Sequence, residues 1–166
     1  MKLAHIVIRG TIVLTSLVPL PGQAEERNLI RFNPNYRFSE RCIAAIMRVE
    51  DNLINRAALH SSRVSIEDHP HKRRTYGLDF IVVGTRGTNV MSSPVLIKSL
   101  AQDAFLNCED DKVSSISFGM AYTGWSLIFG RVNNTFQHFK CVEDLIPNRQ
   151  EMFNAIIPWG YQYCTL

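Results

Sequence analysis

Residues 113–142, VSSISFGMAYTGWSLIFGRVNNTFQHFKCV, decide the fold class. Three stretches of period two are separated by two turn signals. In the first, Val113, Ser115, Ser117 and Gly119 share one face, and Ser114, Ile116, Phe118 and Met120 share the other. Tyr122-Thr123-Gly124 turns the chain. Trp125, Leu127 and Phe129 then alternate with Ser126, Ile128 and Gly130. Asn133-Asn134 turns it again into 135–142, with Phe136 and Lys140 on one side of the pleat. Alternation of this kind is the signature of a strand, whose successive side chains point to opposite faces. Connections this short join antiparallel neighbours, and one apolar face per strand calls for helices covering that side.

Working upstream, Ser92-Ser93-Pro94 predicts a helix start, with serine at the cap and proline in the first turn. Val95, Leu96, Leu100, Ala104 and Phe105 form its buried side, and it ends near Cys108, before the acidic turn Glu109-Asp110-Asp111. Val64 and Ile66 predict a short strand, and 76–83 a stronger one rich in β-branched and aromatic residues. The polar stretch 69–74 between them reads as a long charged hairpin loop. Gly84-Thr85-Arg86-Gly87 lacks the glycine spacing of a phosphate loop and reads as a plain turn. Ser39 caps a helix of about 20 residues, with Ile43, Ile46, Met47, Leu53, Ile54 and Ala57 on one face. The expected order is α-β-β-α-β-β-β. It describes an α+β two-layer sandwich, two helices packed on one face of a mainly antiparallel sheet. Beyond Glu143 the chain reads as coil with one helical turn around 151–155.

The N-terminus has the form of an export signal. Lys2 and Arg9 precede a short apolar stretch, 11–18, and Gly22-Gln23-Ala24 places small residues where a signal peptidase cuts. The apolar run is shorter than the roughly 20 residues a membrane-spanning helix needs. The expected organisation is a signal peptide over 1–24, a polar arm over 25–38 with a turn at Asn33-Pro34-Asn35, and a single domain over 39–166. Secretion or delivery to the periplasm follows.

That compartment gives the four cysteines their meaning. Cys42, Cys108, Cys141 and Cys164 contain no C-x-x-C pair, so disulfides are expected rather than zinc. Four cysteines allow three pairings. The preferred one is Cys42 with Cys108 and Cys141 with Cys164, because the second pair ties a coil-like tail to a strand end. With 46% apolar and 20% charged residues the chain is an ordinary globular one. Its net charge is +3, and Lys2 and Arg9 of the leader carry two of those charges, so the domain is close to neutral. Charge therefore gives no argument for nucleic acid or an anionic membrane.

Candidate sites are sparse. Glu67-Asp68-His69-Pro70-His71 is the densest set of metal-ligand types, with His69 and His71 on one face of an extended segment. The adjacent Lys72-Arg73-Arg74 opposes a cation and suits an anion or a solvated loop tip, so no metal is assigned. Ser92-Ser93 sits at a helix start without a nucleophile elbow, and capping accounts for both serines. His60, Asp79 and His138 have no sequence pattern that joins them into a triad. Trp125 reads as core. Trp159 and Tyr161 read as a docked tail whose rings would also suit a sugar or peptide. Asn133-Asn134-Thr135 is a glycosylation sequon, relevant only in a eukaryotic source. No cofactor motif is present.

At Asn89-Val90-Met91-Ser92-Ser93-Pro94, Asn107-Cys108, Val113-Ser114-Ser115 and Pro158-Trp159-Gly160-Tyr161 through Cys164, the chain resembles a group of small exported cyanobacterial proteins without an assigned activity. The resemblance implies a bacterial source and a disulfide-bonded setting, and it carries across no catalytic residue. The resulting expectation is an exported, disulfide-stabilised domain that binds an unidentified ligand or protein without catalysis. The alternative is a small secreted hydrolase with a histidine-containing site. Such an enzyme would set His60, His69 or His138 against a carboxylate or hydroxyl in a concave pocket.

Overall fold

Helix α1, Glu40–Asn55, begins where Ser39 places its hydroxyl to accept from the Cys42 amide at 3.2 Å. Cys42, Ile46, Val49 and Leu53 follow at helical spacing, and all are buried. The computed structural model describes residues 28–33, 35–69, 72–146 and 156–164, less the side chains of 68, 69 and 72–74. The leader 1–24 and the turn expected at 151–155 lie outside them.

Strands β1 (Leu59–His69) and β2 (Lys72–Val82) form an antiparallel hairpin. The chain then runs through helices α2 (Gly84–Met91) and α3 (Pro94–Cys108) before β3 (Val113–Met120), β4 (Ser126–Val132) and β5 (Thr135–His138). The five strands lie side by side in chain order. The expected α+β class and mainly antiparallel sheet are what the structure shows.

Three details differ from expectation. Among the described residues three helices, rather than two, cover the sheet, because 84–87 opens α2. Gly84 leaves β2 with φ +69°. At Gly87 a Cβ would stand 3.2 Å from the Val82 backbone, so glycine lets α2 lie against the end of β2. Both glycines are weak helix formers, so α2 has little sequence signal. The α2–α3 crossover also makes β2 and β3 parallel neighbours, the one parallel pair in the five-stranded sheet. Finally, the β1–β2 ladder reaches His69 and Lys72, so strand pairing extends into the stretch expected as a long loop.

One core lies between helices and sheet. Ile46, Val49 and Leu53 of α1 and Ile97, Ala101 and Phe105 of α3 pack with Leu78, Phe80, Ile116 and Phe118 of the strands. Helices α1 and α3 run antiparallel. Arg41 donates to Asn107 at 2.9 Å, and Arg48 holds Asp103 through two bonds of 2.9 Å. The Cys42–Cys108 disulfide joins the first turn of α1 to the last residue of α3. Residues 28–33 also belong to this layer, since Leu29 and Ile30 are buried. The Ile30 amide donates to Glu50 Oε1 at 3.0 Å and to Ser62 Oγ at 2.9 Å. Glu50 is fully buried and also pairs with Arg31. It is a buried charge satisfied by a guanidinium and hydrogen bonds together.

Ser93 occupies the N-cap of α3 with Pro94 behind it, but its hydroxyl makes no capping bond. Trp125 is 37% exposed and stands outside the core. Asn133 and Asn134 both have positive φ, 51° and 62°, as a two-residue turn between twisted strands requires.

Candidate functional site

The sheet face away from the helices carries polar and small side chains. Along one rung, Ser65 pairs with Gly77, Gly77 with Ser115, Ser115 with Gly130, and Gly130 with Gln137. Glycine at Gly77 and Gly130 removes two side chains from the middle of this rung. The space over each glycine is taken up by a neighbour, Ser65 and Glu67 at Gly77 and the Phe139 ring at Gly130.

From the β1 side, Glu67 reaches over Gly77. Its Oε1 accepts from Ser115 Oγ at 2.6 Å, and Ser114 Oγ lies 3.0 Å from Oε2. A Cβ at Gly77 would collide with Ser65 Oγ and stand 2.6 Å from Glu67 Oε1, so this reach depends on glycine. Burial pushes the Glu67 carboxyl up from its ordinary value. The two serine bonds oppose the rise, and the charge of Asp79 adds to it. One rung along, Asp79 accepts from Ser117 Oγ at 2.5 Å and from Arg63 Nε at 3.2 Å.

From the β5 side the tail closes the other end. After β5 the chain bends at Phe139, whose ring lies over Gly130. A Cβ there would come 2.8 Å from the ring and 2.8 Å from the Ser114 carbonyl. Trp159 meets Phe139 edge-on at 5.0 Å and donates its indole N–H to the Arg131 carbonyl at 2.9 Å. Strand β6 (Lys140–Cys141) pairs in parallel with β7 (Tyr161–Gln162), and the Cys141–Cys164 disulfide pins the tail beside it. Gln162 accepts from the Ile128 amide at 2.8 Å. Sheet and tail together enclose an open cavity of about 460 Å³, lined by Glu67, Ser126, Phe139, Trp159, Tyr161 and Tyr163, among others.

The structure draws together only some of the residues singled out by sequence. Glu67, which the sequence groups with metal-ligand residue types, joins the aromatic tail instead. Pro70 and His71 lie outside the described residues, as do the side chains of His69 and 72–74, so the metal and anion readings of that tip rest outside them. His138 lies against Phe129, within 2.9 Å of the Gln162 amide nitrogen, and burial lowers its pKa. His60 lies near Tyr122. Among the described residues neither histidine meets a carboxylate or hydroxyl, and Asp79 is engaged by Ser117 and Arg63 instead. Cys141, Glu143 and Cys164 bring ligand-type atoms within 4.8 Å of one another, but both sulfurs are in the disulfide.

No protein-family model matches the chain, and neither the curated proteins nor the solved structures include a significant relative. The site therefore rests on its own geometry. Its clearest unread signal was the pair of mid-strand glycines, Gly77 and Gly130, because glycine inside a strand marks a close approach by another group.

Proposed function

We propose that this chain is an exported, disulfide-stabilised binding module, akin to the small exported cyanobacterial proteins it resembles. In this reading the open cavity under the C-terminal tail, a shallow trough, takes a small ligand. The single observation that carries it is the cavity itself, whose lining brings a carboxyl together with several aromatic side chains. Small-molecule sites have this character, a mostly apolar concavity with a few placed polar groups. Two disulfides fit a life outside the cytosol. Among the described residues, no helix is long and apolar enough to cross a membrane.

The test is an NMR-detected screen of small polar and aromatic-binding compounds against the oxidised chain. Hits are expected to move the Trp159 indole resonance and the amides of Ser115 and Ile128. Hits confined to other surfaces, or none from a broad library, would refute the assignment. Export is checked separately, by whether the N-terminus of the protein recovered from its native compartment begins at Glu25.

A further inference from the structure

The ionic partners of the inward-lying carboxylates single out one of them. Glu50 has Arg31, and Asp79 has Arg63. Glu67 has only hydroxyls from Ser114 and Ser115, and no guanidinium or ammonium among the described residues. It also faces the cavity, whose described lining includes Phe139, Trp159, Tyr161 and Tyr163 but no lysine, arginine or histidine. A carboxylate withdrawn from water without a counter-charge is costly unless something supplies one. Aromatic faces attract the same kind of partner, because the ring quadrupole favours a cation over its face.

Resting on the binding reading above, we infer that the trough selects an organic cation, an alkylated ammonium whose charge meets Glu67 while its alkyl groups lie among the rings. A sugar would use the aromatic walls but would leave the charge of Glu67 uncompensated. A bare metal ion would use the carboxylate and gain little from four aromatic side chains. The organic ammonium uses both halves of the site.

Binding such a cation favours the ionised carboxyl, so affinity rises with pH as Glu67 loses its proton and then levels off. Among the described side chains, the other titratable groups around the carboxyl are Asp79 of β2 and the phenols of Tyr161 and Tyr163 from the tail, while β3 contributes hydroxyls. Arg63 is taken up by Asp79.

The experiment titrates the full oxidised chain with choline, with its uncharged isostere 3,3-dimethylbutanol and with methyl glucoside, following Trp159 and Ser115 by NMR at acidic and neutral pH. Choline is expected to bind at least tenfold more tightly than the isostere. Its affinity should fall several-fold at acidic pH, and again in Glu67→Gln at neutral pH. Choline carries a fixed charge, so the pH effect on unmutated protein reports the carboxyl even if the variant folds poorly. Equal binding of choline and isostere, tighter binding of the glucoside, or affinity independent of pH would overturn the cation inference, and the binding reading would survive. Absence of all three ligands from the trough would also overturn it, and the broader screen then decides the binding reading separately.

Discussion

Gly130→Ala and Gly77→Ala place the same methyl group on the same rung of the sheet, yet their consequences should differ. At Gly130 the new Cβ meets the Ser114 carbonyl and the Phe139 ring, each at 2.8 Å. The carbonyl belongs to the adjoining strand β3 and has little room to move. Phe139, only 4% exposed, must therefore shift and loosen its contact with Trp159. Overpacking of this kind costs about 1–3 kcal/mol. Restricting the unfolded chain returns about 0.4–1 kcal/mol of that. The net loss is about 2 kcal/mol in the upper half of the range, roughly a 30-fold shift in the folding equilibrium. At Gly77 the obstructing atoms are the ends of Ser65 and Glu67, which can rotate away. Stability should then change by less than about 1 kcal/mol, while Glu67 leaves its serines and its pKa falls back toward the ordinary range. Urea unfolding measures the first effect, with Trp159 emission followed in a Trp125→Phe background, and NMR titration of the Glu67 carboxyl measures the second. If Gly130→Ala proves as stable as the parent and leaves Trp159 emission unchanged, the tail does not sit on Gly130 as described.

Two further outcomes follow from the same contacts. Because burial raises the Glu67 carboxyl in the folded chain, the folded state holds that proton more tightly than the unfolded state. Its contribution is complete below the ordinary carboxyl value and is lost as pH rises through the raised one. The stability of the parent relative to Glu67→Gln should therefore decline with increasing pH across that window, and denaturation curves showing a flat or rising difference would contradict it. Removing Cys42–Cys108 as a serine pair should cost about 4 kcal/mol, and removing Cys141–Cys164 about 3 kcal/mol, because the first closes the longer loop. The sequence separations are 66 and 23 residues. Urea midpoints in the reverse order would show that strain or local opening, rather than loop length, governs these crosslinks.

Much of the architecture is written in local pattern. Period two in 113–142 and helical period in α1 and α3 follow from side-chain direction alone, so those elements are legible without neighbours. The seryl cap at Ser39, Pro94 and the Asn133-Asn134 turn are equally local. Helix α2 was hidden because Gly84, Thr85 and Gly87 have little helix propensity, and their conformation is set by the end of β2. The parallel β2–β3 pairing was hidden with it, since that crossover is what reverses the chain between the two strands.

The candidate site lies almost wholly on the other side of that divide. Alternation places Ser115, Ser117 and Gly119 on one face, and the tail is aromatic by composition. That Glu67 would cross β2 to reach Ser115, and that Phe139 would fold over Gly130, depends on which strands are neighbours and in what register. Sequence periodicity fixes the face a residue belongs to, because it records only the direction of successive side chains along one strand. Register between strands and the path of the tail are settled by packing across the whole sheet. So the acid and the rings become a single cavity only in the assembled fold.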